Sequence, residues 1–295
     1  MRSTRIQEKQ EFRDFIMNNI VSFSGGRTSA YLVYVIEGMR QRGEIDNVHY
    51  VFMDTGAEHP KTYEFIKNVV NHFKIDLVCI RAKINPKHGV GTTYQIVDEI
   101  GCDMKPWKDF VNKYGTPYSH IAHCTARLKT DPYEKWIKEN FKEYTTWLGI
   151  RADEPQRLRK RPNVKYLADV SDYEKEDILE FWRSMPFDLN LSEWLGNCVF
   201  CVKKGTNKIA LAAMDEPEMA KQFHDILASD KVKTLPSKTS PNENCFRNSM
   251  SIPQIIESYR DESKESLISS LRGNSGACSE SCEAMEYQKD LFKDS

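Results

Sequence analysis

The chain has 295 residues, of which 40% are hydrophobic and 29% charged, and its formal net charge at pH 7 is −1. This balance excludes a global positive field that recruits nucleic acid, so such binding would need a local patch. No apolar run approaches the ~20 residues that span a membrane, and residues 1–18 are too charged for a secretory signal. We therefore expect a cytoplasmic protein without a membrane partner, whose 8 cysteines serve as reduced thiols, metal ligands or catalytic groups.

Helical spacing of charged and apolar residues predicts an amphipathic helix over residues 1–18. Residues 20–23 form a short apolar run typical of a buried strand, and residues 30–36 are apolar enough for a packed helix. Further apolar runs at residues 49–53, 77–80 and 145–150 predict the second, third and fourth strands, with intervening helical patterns. Strands that alternate with helices at this spacing indicate an α/β fold with a parallel sheet.

The turn between the first strand and the first helix is the candidate site. Gly25 and Gly26 allow close backbone approach to a ligand, and hydroxyl groups of Ser24, Thr28 and Ser29 flank them. Unpaired N–H groups and the positive end of the helix dipole favour an anion at such a turn. The turn has neither the Gly-Lys-Thr/Ser of a Walker A loop nor a Gly-x-Gly-x-x-Gly pattern.

This turn resembles the Ser-Gly-Gly-x-x-Ser loop of the PP-loop ATP pyrophosphatase superfamily, in particular the sulfonucleotide (PAPS) reductases and their thiolation relatives. The resemblance implies a Rossmann-like sheet with flanking helices, and a nucleotide bound by residues 24–29, including Arg27. A second signature is Asp54-Thr55-Gly56 with Pro60 beyond it, at the carboxyl end of a strand, where ligands of open α/β sheets bind. By resemblance, the backbone around Phe52 and Met53 would hold the adenine edge, with Asp54 and Thr55 beside the ribose or phosphates.

A third group of predicted site residues is basic. Arg151 follows Gly149 at the end of the fourth predicted strand, where the superfamily commonly places a phosphate-binding arginine, and a guanidinium fork matches phosphate oxygens. Arg157 would be the second basic residue of that motif, and residues 157–165 form a local positive patch that nucleic acid would contact, or a solvated loop. The resemblance implies three catalytic residues, namely Ser24, Lys129 and Arg151.

The cysteine pattern leaves several kinds of centre open. Cys198 and Cys201 form a Cys-x-x-Cys, which suits a zinc half-site, a redox dithiol or half an iron–sulfur site. Two more ligands would complete a four-sulfur centre, and the candidates are Cys124, by its motif, and Cys245, by elimination. The family resemblance favours a [4Fe–4S] cluster over zinc. Cys278 and Cys282 lie in a Gly/Ser-rich tail that is predicted to be disordered, and either is an alternative ligand or sulfur carrier.

These features predict three parts: an amino-terminal helix (1–18), a PP-loop nucleotide-binding domain (19–170) and a helical, cysteine-bearing region (171–295). The motif of Cys124, a single cysteine followed by Thr125, Arg127 and Leu128-Lys129, is similar to that of the sulfurtransferase subunit of DNA phosphorothioation systems. The tail lacks the Glu-Cys-Gly-hydrophobic-His element of the reductases. The favoured hypothesis is therefore an ATP-dependent sulfurtransferase that uses Mg²⁺ and adenylates an acceptor. The basic patch favours nucleic acid as that acceptor, and a sulfur-donor protein would be a further partner. The alternatives are a reductase of APS or PAPS and a non-catalytic nucleotide- or nucleic-acid-binding module.

Overall fold

The computed structural model describes residues 17–118, 122–234 and 246–271, and within them the strands form one sheet. The sheet has the order β4-β3-β2-β1-β5-β6, and β4 alone among these runs antiparallel to its neighbour. The strands are β1 (Asn18–Ser22), β2 (Val48–Asp54), β3 (Leu77–Lys83), β4 (Thr93–Ile96), β5 (Tyr144–Leu148) and β6 (Val164–Tyr166). The predicted α/β fold with a mainly parallel sheet is confirmed.

Helices connect and cover these strands. The helices of the described residues are α1 (Arg27–Gln41), α2 (Pro60–Phe73), α3 (Lys105–Tyr114), α4 (Asp131–Asn140), α5 (Lys175–Ser184), α6 (Thr206–Asp215), α7 (Pro217–Leu227), α8 (Ile252–Ser258) and α9 (Lys264–Leu271). A helical turn, His123–Thr125, and a π-helical stretch, Ala126–Thr130, lead directly into α4.

Both faces of the central strands are buried, which explains their continuous apolar sequences. Val21 and Phe52 pack into the core on one face, whereas Ile20, Val51 and Met53 pack into a second core with residues of α4 on the other. Successive side chains of a strand point to opposite faces, so a strand covered on both sides must be apolar at every position.

The larger core continues past the predicted boundary near residue 170. Trp182 of α5 and Phe223 of α7 are fully buried in the same cluster as Val21 and Phe52. Trp182 also packs edge-on against Phe65 of α2, with the ring centroids 5.0 Å apart. The carboxyl-terminal helices therefore contribute to the core beneath the sheet.

Two local expectations need correction. Asn18 belongs to β1, so the strand starts inside the range predicted as the amino-terminal helix; residues 1–16 lie outside the described residues. The glycine and proline residues between positions 82 and 120 predict a stretch rich in loops, yet this stretch contains β4 and α3. The short β4 has mixed burial and pairs through backbone hydrogen bonds with β3, an interaction that a single segment does not reveal.

None of the described helices combines the length and the apolar character that crossing a membrane requires.

Candidate functional site

The glycine loop, residues 24–29, joins β1 to α1 and is closed by its own hydrogen bonds. The hydroxyl group of Ser29 donates to the main-chain oxygen of Gly26 at 3.0 Å and accepts from the main-chain N–H of Ser24 at 3.1 Å. The Ser24 and Ser29 hydroxyl oxygens lie 2.8 Å apart, and since the Ser29 proton points to Gly26, Ser24 is the donor of that pair. Both predicted serines thus define the shape of the turn.

Two glycines are required by close approach of neighbouring segments. Gly25 has a φ of +82°, and a Cβ there would lie 2.9 Å from Cγ2 of Thr62 in α2. At Gly149, just after β5, a Cβ would lie 2.8 Å from Cα of Ser29. The loop is therefore packed between α2 and the end of β5 at distances that only glycine permits.

The start of α1 is suited to an anion. Gly26 is the N-cap residue in an extended conformation, and it offers no side chain to cap the first-turn amide groups. The first turn of α1 contains no acidic residue. Backbone N–H groups and the positive end of the helix dipole are therefore directed to the same place as the glycine loop.

Arg151 links the end of β5 to this loop. Its side chain is 6% exposed, and its Nη1 donates to Oγ1 of Thr28 at 3.1 Å. Its Nε and Nη2 donate to the two carboxylate oxygens of Asp153 at 2.8 and 3.2 Å. Arg157 forms an ion pair with Glu154, which also lies 3.6 Å from Arg151. The structure thus brings Arg151, Thr28 and the glycine loop together, with Arg157 attached through Glu154.

A hollow beside the glycine loop has a second wall from the carboxyl-terminal part of the chain. One side is formed by Ser24, Gly25, Gly26 and Arg27, together with Thr62 of α2. The other side belongs to a stretch that we call the facing segment, residues 188–197. Its lining residues are Leu189, Leu191, Ser192, Glu193, Gly196 and Asn197.

Asp188, at the start of the facing segment, holds Arg27. The guanidinium group donates from Nε and Nη2 to the two carboxylate oxygens at 2.7 and 2.8 Å. Burial raises the pKa of Asp188, but the hydrogen bonds and charge of Arg27 outweigh it and lower the pKa overall. Arg27 is a predicted ligand-binding residue, whereas its partner Asp188 is not predictable from sequence, because no local pattern connects residues separated by 161 positions.

The predicted residues at the end of β2 are buried. Phe52 and Met53 are core residues with at most 5% exposure, and the side chain of Asp54 is fully enclosed. Asp54 accepts hydrogen bonds from the hydroxyl group of Tyr63 at 2.8 Å and from Nε of Arg81 at 2.7 Å. Burial, followed by the nearby charge of Glu58, raises the pKa of Asp54. Its side chain belongs to an interior network rather than to the lining of the hollow.

Thr55 and Lys129 belong to the same interior network, which also contains Glu58. The hydroxyl group of Thr55 donates to Glu58 at 2.8 Å, and Nζ of Lys129 lies 3.8 Å from Oε1 of Glu58. Lys129, with 7% exposure, is thus placed beside a carboxylate under the end of β2. Glu58 lies two residues beyond the Asp54-Thr55-Gly56 motif, but its role depends on the tertiary arrangement.

The Cys-x-x-Cys turn contacts this network. Sγ of Cys198 lies 3.4 Å from Oγ1 of Thr55 and 3.9 Å from Oε1 of Glu58, and the backbones of Glu58 and Cys198 form an antiparallel bridge. Burial, followed by the charge of Glu58, raises the pKa of the Cys198 thiol well above its usual value. A metal ion that binds at this turn would therefore have to displace the proton of the Cys198 thiol.

The described cysteines do not by themselves fit a metal centre. Within residues 17–118, 122–234 and 246–271, no three or more His, Cys, Asp or Glu side chains are grouped so that they could hold a metal ion. Cys124 lies half-buried in the turn before the π-helical stretch, and Cys201 is half-buried after Cys198. Cys245, Cys278 and Cys282 lie outside the described residues. The iron–sulfur or zinc centre stays a prediction.

Comparison with known proteins identifies the family. The phosphoadenosine phosphosulfate reductase domain matches residues 18–186, which is more than half of the chain. The protein belongs to this reductase-domain family. The predicted membership in the PAPS reductase-like proteins is confirmed, and the matched range contains the glycine loop, Arg151 and the interior network. The facing segment lies beyond the match.

Relatives of this PAPS reductase-family protein occur in a phage and an archaeon. It is 45% identical over 286 residues to the uncharacterized nin region protein ORF290 of Escherichia phage lambda, covering 93% of this chain and 98% of that protein. It is 28% identical over 136 residues to the uncharacterized protein MJ0066 of Methanocaldococcus jannaschii, covering 46% of this chain and 23% of that one. Among solved structures, the chain is similar to the crystal structure of a PAPS reductase from Candida auris in complex with phosphate, with 16% identity, a TM-score of 0.35 and coverage of 59% of this chain and 76% of that one.

Proposed function

We propose that this PAPS reductase-family protein is an ATP-dependent sulfurtransferase that adenylates an acceptor before sulfur is transferred to it. The observation that carries the proposal is the contact of Arg151 with Thr28, because it places a buried guanidinium group against the first turn of α1. The glycine loop and Arg151 offer main-chain amides and a cation to one anionic ligand. Family membership supports an adenine nucleotide as that ligand.

The residues around the glycine loop fit a polyphosphate group. Gly25 and Gly149 let α2 and the end of β5 pack closely against the loop and hold its shape, and Ser24, Thr28 and Ser29 add hydroxyl groups. ATP would supply the adenylyl group of the reaction, and Mg²⁺ would supply positive charge that the loop lacks. The chain itself orients the polyphosphate with the amides of the first turn of α1 and neutralises part of its charge with Arg151.

The first chemical step in this proposal joins an oxygen of the acceptor to the α-phosphorus of ATP and releases pyrophosphate. The acceptor oxygen is thereby converted into part of a good leaving group. A sulfide-level sulfur nucleophile then displaces AMP from the acceptor. Positioning and charge stabilisation would carry the first step, since phosphoryl transfer needs little covalent participation by a protein.

Nucleic acid is the acceptor class that the surface beside Arg151 favours. Arg159, Lys160 and Lys165 are exposed on the loop and on the edge strand β6, next to the Arg151–Glu154–Arg157 contacts. The hydroxyl group of Tyr166 donates to the main-chain oxygen of Arg159 at 2.5 Å and anchors this loop to β6. Basic side chains on a fixed loop can contact a phosphate backbone close to the nucleotide.

Reduction of APS or PAPS to sulfite is the second candidate, because the matching family is described as a phosphoadenosine phosphosulfate reductase domain. Sulfite formation from either sulfonucleotide, together with a thiosulfonate on Cys278 or Cys282 detected by mass spectrometry, would favour reduction. Pyrophosphate formation from ATP on addition of DNA or RNA fragments would favour thiolation.

The loop is tested with Gly26→Asp, measured by calorimetry with ATP and Mg²⁺ and by pyrophosphate release. Aspartate is a favoured N-cap residue, so α1 should still form, whereas its carboxylate would repel the phosphates. We expect loss of ATP binding and turnover with a melting temperature at or above that of the wild type. Gly91→Asp is the control, since a Cβ there has nothing within 4 Å. Normal turnover by Gly26→Asp would remove the loop from the mechanism.

A further inference from the structure

The arginines around the glycine loop each carry a carboxylate partner. Arg27 is held by Asp188, and the two matched N–O contacts of 2.7 and 2.8 Å form a bidentate pair. Arg151 makes a similar pair with Asp153, and Arg157 is paired with Glu154. These named side chains together contribute no net charge, although an ATP site ordinarily needs positive charge to bind a polyphosphate.

Of these three carboxylates, only Asp188 pairs with an arginine of the glycine loop, and it lies beyond residues 18–186, the range that matches the family. Asp153 and Glu154 lie within two and three positions of Arg151, whereas Asp188 reaches Arg27 from the start of the facing segment. The side chains of Arg27 and Asp188 are 12% and 21% exposed, so solvent screens their charges less than it screens a surface pair. Arg27 in turn lines the hollow beside Ser24 and Gly26.

The position of Asp188 is itself constrained. Its carboxylate accepts the main-chain N–H of Leu189 at 2.7 Å, and Nζ of Lys61 donates to the main-chain oxygen of Asn190 at 3.4 Å. These hydrogen bonds hold the start of the facing segment in place, so that both carboxylate oxygens of Asp188 point to Arg27. The ion pair thus joins two parts of the chain that are distant in sequence.

We propose that Asp188 is a positioning residue that sets the affinity of the site: by neutralising Arg27 it makes binding of a nucleoside triphosphate depend on a divalent cation. The inference rests on the proposed function, since it requires the polyphosphate to bind at the glycine loop. Without a cation, the four negative charges of ATP meet an arginine whose charge Asp188 cancels. With Mg²⁺ bound, the nucleotide carries less negative charge, so the carboxylate of Asp188 opposes its binding less.

Asp188→Asn tests this inference in the full-length protein. Asparagine keeps an oxygen that can accept one hydrogen bond from Arg27 but removes the charge. ATP affinity is measured by calorimetry with EDTA and with Mg²⁺, at low and at physiological ionic strength. We expect the variant to bind ATP on the order of tenfold more tightly than the wild type in EDTA, and with a much smaller gain in Mg²⁺. A purely structural role for Asp188 would lower the affinity in both conditions.

Two controls isolate the contact with Arg27. Asp225→Asn makes the same change of charge at an exposed pair with Lys221 on α7 and should leave the affinity unchanged. Arg27→Gln combined with Asp188→Asn should abolish the gain in EDTA, because the cation that Asp188 neutralises is then absent. A gain of equal size in Asp225→Asn, or its persistence in the double variant, would overturn the proposal.

The outcomes separate this inference from the proposed function. If the wild type binds ATP with Mg²⁺ and Asp188→Asn binds it identically in both buffers, the role of Asp188 is wrong and the nucleotide site stands. If neither protein binds ATP, APS or PAPS in any buffer, the nucleotide site is wrong and this inference falls with it. Circular dichroism and the melting temperature of each variant confirm that the compared proteins are folded.

Discussion

The indole Nε1 of Trp182 donates a hydrogen bond of 2.9 Å to the main-chain oxygen of Arg27, the first residue of α1. Trp182 is fully buried on α5, so this bond ties the carboxyl-terminal part of the chain to the glycine loop. The same arginine is held at its other end by Asp188. The loop is thus supported from a region that follows it by more than 150 residues.

Trp182→Phe should weaken both stability and nucleotide binding. The variant loses the hydrogen bond to Arg27 and some ring volume, and we expect a loss of about 1–2 kcal/mol in the free energy of unfolding. ATP affinity should fall several-fold because the first turn of α1 is less fixed. Trp147→Phe is the control, since its Nε1 bonds to Oδ1 of Asn19 at the amino end of β1. Equal effects of both variants on ATP affinity would contradict a specific role for Trp182.

Gly149→Ala should displace the glycine loop. The added methyl group would lie 2.8 Å from Cα and 3.0 Å from N of Ser29, both of them backbone atoms that cannot rotate away. We expect a loss of about 1–3 kcal/mol in stability from denaturant unfolding, and weaker ATP binding by calorimetry. Gly91→Ala, where a Cβ meets nothing within 4 Å, should change neither the stability nor the ATP affinity. Unchanged ATP affinity in a folded Gly149→Ala protein would show that the end of β5 does not shape the nucleotide site.

Arg151→Lys should lower nucleotide affinity on the order of tenfold, because an ammonium group cannot bond both Asp153 oxygens and Thr28 at once. Equilibrium dialysis with ATP and Mg²⁺ measures the loss. Arg260→Lys, in an exposed pair with Glu257, is the matched control and should bind as the wild type does. Full affinity in Arg151→Lys would show that the guanidinium fork is dispensable.

The pH dependence of stability should include a contribution from His49. Burial lowers the pKa of its imidazole in the folded protein below the ordinary value of about 6.5. The unfolded chain then binds more protons than the native one between these two pKa values, so stability falls as the pH decreases below about 6.5. His49→Gln should remove this part of the loss, by at most about 1.4 kcal/mol per pH unit. Parallel curves of unfolding free energy against pH for the wild type and His49→Gln would refute the contribution of His49.

The sheet was predictable because its determinants are local. Residues 20–23 and 49–53 are apolar runs of strand length, and glycine-rich or polar turns separate them from helical patterns. Burial of parallel strands on both faces requires such runs, so the sequence carries the signal directly. The short β4 escaped prediction, because its residues have mixed burial and its pairing partner lies on β3.

The amino-acid sequence by itself determined the α/β class, the family and the glycine loop with Arg151 as its candidate cation, since each depends on residues close together along the chain. Only the tertiary structure decided that Arg27 faces Asp188, that Asp54 and Lys129 enter a buried network, and that the facing segment completes the hollow. These pairings join residues far apart in sequence, and their partners are selected by packing and burial rather than by any local pattern.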